Sequence, residues 1–545
     1  MQELFFAYFP IVLLIYLMTK KNSMPSFRAL PLSALALYFI MLIVFQRDPN
    51  QVHAAIIDGL LVAWTPILII AGAIFLFRTM EATGSLAVIR SWLNSISDNK
   101  IAQLMIVAWS FQFLIEGASG FGTPAALAAP ILVGLGFPAV RVAILCLIMN
   151  SVPVSFGAVG TPTWFGFSAL QLSAQEITTI GIKSATLNAS AAIFIVAIAL
   201  MFIVKPRAVA QNAVFILLSV LAAVLPYVYV ATLSYEFPAL VGGFTGLIGT
   251  ILLARSGIGL AADEVELQPG VGEDQLLHTQ VEQTAGETVT PGQLLKASFP
   301  LWGTVLLLII TRIPQLGIKS LLQLKEPAIA FDLGSLGVFS ISPALVLSLD
   351  GILNTAESWS HSLLYVPSLL PFGLIALLAF LLSGSAGRIR PVFKETVEQM
   401  HKPVIALLGA LVFVNLMMMG DGGSAVTRIG QHLAATTGGA WQFFAAYLGA
   451  VGSFFSGSNT ISNLTFAGIQ DSIARDLGLN RTTILALQSA GAAMGNMVCI
   501  NNIVAVASVL ALNDKEGYIL KRTVVAMLVY GLVISLVSML FYNWY

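Results

Sequence analysis

Apolar stretches recur along the chain at 4–18, 29–46, 54–77, 101–115, 139–155, 181–204, 212–232, 239–254, 294–313, 363–383, 402–419, 441–455, 482–498 and 523–543. Crossing the hydrocarbon core of a bilayer as a helix takes roughly 17–25 predominantly apolar residues. Most of these runs meet that length and a few are marginal, so the pattern predicts about 12–14 transmembrane helices. Two more apolar runs, 125–137 and 464–476, are too short to cross. Each directly follows a polar interruption, as the returning arm of a re-entrant hairpin does.

The two interruptions are Glu116-Gly117-Ala118-Ser119-Gly120-Phe121-Gly122-Thr123-Pro124 and Ser456-Gly457-Ser458-Asn459-Thr460-Ile461-Ser462-Asn463. Paired broken segments in corresponding places of two halves mark the midplane binding site of a secondary transporter. The correspondence is wider than this pair. Residues 79–90 echo 418–428, and Leu135-Gly136-Phe137-Pro138 matches Leu477-Gly478-Leu479-Asn480, at an offset of about 340 residues. A second polar break follows in each half, Asn150 through Pro162 against Gly495 through Asn502. The ordered series predicts a duplication, inverted if an odd number of spans separates the two repeats.

Composition agrees. The chain is 57% hydrophobic and 10% charged, with mean hydropathy +0.90, far from the ~25% charged residues of soluble domains. Lys+Arg and Asp+Glu balance at 26 each, which leaves no basic patch for nucleic acid. Cys146 and Cys499 lie in apolar runs without spaced His or Cys, so neither a disulfide framework nor a metal site is expected. No nucleophile–base pair or phosphate-cradling loop appears, and an enzyme fits poorly. The segment 4–18 reads as a retained helix, because Lys20-Lys21 and no small-residue cleavage site follow it. Basic short loops at 20–28, 205–207, 388–394 and 521–522 place those loops in the cytoplasm and the N-terminus outside.

These patterns divide the chain into N-terminal transmembrane helices (1–53), a first repeat with its hairpin at 116–124 (54–168), transmembrane helices read as scaffold (169–255) and an acidic solvent loop (256–293). Transmembrane helices with an irregular connection (294–393), a second repeat with its hairpin at 456–463 (394–512) and a C-terminal transmembrane helix (513–545) complete it. Residues 318–360, rich in Gly, Ser and Pro, read as the irregular part. The fold expected is an all-α polytopic membrane protein in which each repeat carries a re-entrant hairpin and a broken helix.

A helix broken within the bilayer frees backbone N–H groups and presents the positive end of its dipole. Ser119, Thr123, Ser458, Thr460 and Ser462 add hydroxyls, Asn459 and Asn463 add amides, and Gly120 lets a ligand approach the backbone. The ligand expected is a small anion with hydrogen-bonding groups. Packing of small residues is the other reading of the same positions. Asn150, Ser155, Asn496, Asn501 and Asn502 are candidates from the second breaks. Glu116 ends a spanning run, where an ionised carboxylate costs about 2.5–3.5 kcal/mol even on a lenient scale. Two readings stand side by side: a carrier of a co-transported proton, or a structural hydrogen bond tying the hairpin to a neighbour.

At 114–124, 132–137, 150–160, 457–463 and 495–497 the chain resembles the lactate permease family, the bacterial L-lactate and glycolate permeases, and the likeness runs over essentially its whole length. The resemblance implies proton-coupled uptake of a 2-hydroxy monocarboxylate across the bacterial cytoplasmic (inner) membrane. It also implies the wider ion-transporter superfamily, with inverted repeats and elevator-type alternating access. Asn459 departs from the Asp of the best-known members, which throws weight on Glu116 as proton carrier or opens the coupling ion to sodium. The expected partners are a small 2-hydroxy carboxylate, the lipid bilayer and a second copy in a homodimer, with no nucleic acid and no cofactor beyond the co-transported ion. A sodium-coupled carboxylate symporter and a passive anion channel are the rival functions.

Overall fold

The structure is a computed structural model, and it describes residues 2–19, 24–118, 120, 123–261, 265–268, 289–312, 316–366, 368–420, 423–510, 512 and 515–543. The predicted apolar runs are largely helical where described, although 363–366 form a turn after the last strand. Among the described residues, eight helices are long and apolar enough to cross a membrane, including Ala174–Met201, Ala213–Ala231 and Glu516–Phe541; four shorter apolar helices accompany them. The chain is a multi-pass membrane protein.

Two compact units form. One comprises Met1–Leu86 and Leu295–Thr436, the other Ala87–Leu294 and Thr437–Tyr545. In the first, the helix Ile389–Met418 packs on Ser26–Ile43, Pro49–Val62 and Trp64–Ala82. Glycine sets the spacing: a Cβ at Gly409 would meet Pro31 at 2.6 Å, and one at Gly59 would meet Val412 at 3.0 Å. Pro49–Val62 starts where its sequence says it should. The Asp48 carboxylate accepts from the Gln51 amide at 3.1 Å, and Pro49 fills the first turn, where its missing N–H costs nothing.

The same unit corrects two expectations. Residues 318–360 are not an irregular connection, and the protein is not all-α. Four short antiparallel strands, β1 (Ile329–Asp332), β2 (Val338–Ile341), β3 (Val346–Asp350) and β4 (Ser358–Ser362), form one sheet in the order β1-β2-β3-β4. Phe331 pairs with Phe339, and Leu349 with Trp359. The physical reason is the period: Val338-Phe339-Ser340-Ile341 and Val346-Leu347-Ser348-Leu349 are short, β-branched and aromatic, with Gly351 in a left-handed turn between strands. Of the acidic loop, 256–261, 265–268 and 289–293 are described. There Leu267 bridges Val204, and Glu266 pairs with Lys205.

The second unit holds both break motifs. Its tightest helix pair is Trp441–Ser456 against Arg481–Asn496. Gly491 and Gly495, four residues apart, bring that backbone onto Ala446 and Ala450; a Cβ at Gly491 would stand 2.6 Å from the Ala446 Cα. Pro238–Ser256 packs on Ala213–Ala231 and on Gln112–Ala118, the latter through Gly117, whose Cβ would meet the Ala239 carbonyl carbon at 2.7 Å.

Candidate functional site

Each break has its own backbone cause. The helix Gln112–Ala118 ends as Gly120, at φ +61°, donates its N–H to the Glu116 carbonyl at 3.0 Å, and a new helix runs over Thr123–Gly134. In the second half Trp441–Ser456 stops at Gly457, φ +72°, whose N–H donates to the Ser453 carbonyl at 2.8 Å. Glycine pays no Cβ penalty in that left-handed region. Ser458 is then the N-cap of Asn459–Asp476, its Oγ accepting from the Ile461 amide at 3.3 Å.

The second breaks are sharper. After Ala139–Asn150 a 3-10 turn covers Val152–Phe156, and Ala158, Val159 and Gly160 follow in consecutive left-handed conformations, at φ +44°, +58° and +69°. For alanine and valine such a conformation costs roughly 1–2 kcal/mol each. Side chains fasten this turn: Thr161 Oγ1 donates to the Ala158 carbonyl, and Trp164 Nε1 to the Val159 carbonyl at 3.1 Å. In the other half the helix Arg481–Asn496 gives way at Met497–Cys499 to Ile500–Val509.

All four breaks contribute to one recess of about 250 Å³, its mouth included. Glu116 and Gly120 come from the first motif; Val154, Gly157, Ala158 and Pro162 from the left-handed turn; Gly457, Ser458, Asn459 and Thr460 from the second motif; and Asn496 from the last break. Glu116 is 2% exposed. Its Oε2 accepts from Asn150 Nδ2 at 3.0 Å, and its Oε1 lies where a Cβ on Gly157 would stand. Among the described lining residues it is the one with a titratable side chain, and none of them is Lys or Arg.

The structure sorts the sequence candidates by place. Glu116, Gly120, Ser458, Asn459, Thr460 and Asn496 line the recess. Asn150 stands behind Glu116 as its donor, and Asn502 Nδ2 holds the Asn496 side chain at 2.8 Å. Ser155 donates to the Ser489 carbonyl at 3.2 Å, and that carbonyl also receives Asn459 Nδ2 at 3.0 Å. Ser462 and Asn463 are placed elsewhere. The Ser462 hydroxyl donates to the Gly449 carbonyl at 2.7 Å, and Asn463 Nδ2 to the Pro162 carbonyl at 3.0 Å. Both join helices. Ser119 and the side chains of Thr123 and Asn501 lie outside the described residues.

Sequence reasoning passed over the layer behind the recess. Asn188 Nδ2 donates to Ser155 Oγ and to the Tyr227 hydroxyl, both at 3.0 Å, and its Oδ1 accepts from the Tyr530 hydroxyl at 3.0 Å. Trp441, Gln470 and Gln488 form a second buried chain of hydrogen bonds ending on Ser462. Lys183, fully buried, donates to Asn480 Oδ1 and to the hydroxyls of Thr482 and Thr483. The signal available was a single polar residue inside an otherwise apolar span, expensive there unless bonded or functional.

Comparison with known proteins shows the family. A Haemophilus influenzae protein is 46% identical over 540 residues, with 98% of each chain covered. The L-lactate permease of Bacillus subtilis is 26% identical, covering 93% of this chain and 91% of that one. The glycolate permease of Escherichia coli (strain K12) is 25% identical, covering 92% and 89%. A family model described as L-lactate permease matches residues 3–543. With broken helices meeting at a buried carboxylate and a match along nearly its entire length, the chain belongs to the L-lactate permease family, whose members are permeases and not enzymes.

Proposed function

We propose that this protein is a secondary carrier that takes up lactate and related 2-hydroxy monocarboxylates such as glycolate, in symport with a proton, across the bacterial cytoplasmic membrane. The observation that carries this reading is Glu116, the one titratable side chain among the described residues of a recess otherwise lined by neutral groups. An anion entering there meets hydroxyls and the N-terminal amides of Asn459–Asp476, aided by the helix dipole. It also meets Glu116. Two negative charges in a low-dielectric recess repel, so the anion binds with most advantage when Glu116 holds a proton. Substrate and proton therefore enter and leave together, which is symport. Elevator-type alternating access of the two hairpins is the mode of exposure that goes with this reading.

Uptake into proteoliposomes tests it. Labelled lactate should accumulate against its gradient when the lumen is alkaline, and accumulation should collapse when the pH gradient is dissipated. Glu116→Gln should abolish pH-driven uptake while leaving lactate exchange. Uptake driven by sodium at fixed pH would replace the proton with that ion, and absence of counterflow would point to a passive pore.

A further inference from the structure

The Asn459 carboxamide is held in one sense. Its Nδ2 donates to the Ser489 carbonyl at 3.0 Å. Turning the amide over would set Oδ1 against that carbonyl oxygen, acceptor against acceptor, and lose the bond. The Ser489 carbonyl is itself fixed by the Ser155 hydroxyl at 3.2 Å. Asn459 therefore presents an acceptor. That oxygen is buried and has no hydrogen-bond partner among the described residues, in a residue 2% exposed that lines the recess. Buried acceptors are nearly always satisfied, so this one calls for a donor that arrives with the ligand.

A carboxylate cannot be that donor, because its oxygens only accept. A second group on the same small molecule can supply the missing hydrogen. Resting on the reading of the recess as the substrate site, we propose that Asn459 Oδ1 accepts the hydroxyl hydrogen of a 2-hydroxy acid and so determines specificity. A 2-oxo acid offers an oxygen where a hydrogen is needed. An unsubstituted acid offers a methylene. An O-methylated acid has the oxygen but no hydrogen and adds bulk. Each leaves the Asn459 oxygen unsatisfied, and sites built around a substrate hydroxyl discriminate strongly against analogues that lack it.

The test is counterflow of labelled L-lactate in proteoliposomes containing the full-length protein, at one fixed pH, with and without sodium. The competitors are L-lactate, glycolate, propionate, pyruvate and 2-methoxypropionate. The two hydroxy acids should compete on the order of 10-fold or more better than the other three. In Asn459→Leu, similar in size but without the acceptor, the gap should shrink to about threefold or less. The wild-type series decides even if that variant fails to insert. Lactate counterflow with propionate and 2-methoxypropionate competing as well as glycolate overturns this proposal alone. So does a hydroxyl preference that vanishes when sodium is removed, since Oδ1 then serves a cation. No counterflow of any monocarboxylate overturns the transport reading and this inference with it.

Discussion

Asn150 Nδ2 donates to Glu116 Oε2 across 3.0 Å, joining the C-terminal end of Ala139–Asn150 to the first broken helix. The bond is a structural tie between the broken helix and its neighbour, and it falls on the same carboxylate to which the proposed function assigns the proton. Hydrogen bonds to charged groups contribute roughly 1.5–3 kcal/mol, against about 1 kcal/mol for neutral pairs. Asn150→Leu should therefore destabilise the wild-type protein by more than it destabilises Glu116→Gln, with a coupling of about 1 kcal/mol or more in a double-mutant cycle. Reversible unfolding in mixed micelles measures it. Additive single effects would mean that the carboxylate's charge adds nothing to the bond.

Gly157 tests the packing of the carboxylate. Its backbone, at φ −60° and ψ 156°, is open to any residue, so alanine is excluded only by space. The added Cβ would run into Glu116 Oε1. Gly157→Ala should lower lactate uptake on the order of tenfold or more, by pushing the carboxylate out of its site. Gly517→Ala is the control, since nothing lies within 4 Å of a Cβ there and alanine is the better helix former. It should transport normally. Equal activity of both variants would remove the steric argument.

What could be read from the sequence follows from the solvent. In lipid every backbone polar group must be bonded within the segment, so spans appear as long apolar runs and their breaks as Gly, Ser and Asn clusters. That is why Glu116, Gly120, Ser458, Asn459, Thr460 and Asn496 could be nominated in advance, and why they do meet. The left-handed turn at Ala158-Val159-Gly160 was hidden, because alanine and valine are poor residues for it and tertiary contacts impose it. The Ser489 carbonyl has no side-chain signature at all. Ser462 and Asn463 looked like their neighbours in sequence, but the helical turn after Ser458 carries them to other helices. The sheet at 329–362 was hidden by its Gly, Ser and Pro content, although Ser358-Trp359-Ser360-His361-Ser362 of β4 alternates in sequence and burial.

Ala158 offers a direct measure of strain at the site. At φ +44° its methyl is a liability that a helical alanine lacks. Replacing a buried helical alanine by glycine costs about 1 kcal/mol in propensity, plus the lost methyl contacts. At Ala158 relief of the left-handed penalty, roughly 1–2 kcal/mol, offsets the same losses. Ala158→Gly should therefore be near neutral, whereas Ala492→Gly, in the interior of Arg481–Asn496 and fully buried, should be clearly destabilising. The same unfolding assay compares them. If both cost the same, the turn is unstrained.

His361, on β4 and outside the spanning helices, gives the protein a pH-dependent stability separate from transport. It is 3% exposed, stacked on Trp359 at 6.1 Å, and bonded through Nδ1 to the Thr65 hydroxyl at 2.8 Å, while its Nε2 is buried without a partner among the described residues. Burial holds its pKa below the ordinary value of 6.5. The unfolded chain thus binds a proton near pH 6.5 when the folded protein does not. Below that pH the unfolded state gains protons first, so stability falls as pH drops. Wild-type melting temperature should decline more steeply from pH 7.5 to 5.5 than that of His361→Gln, which keeps hydrogen-bonding capacity but does not titrate. Parallel declines of the two proteins would show that His361 charges as easily in the folded state as in the unfolded one.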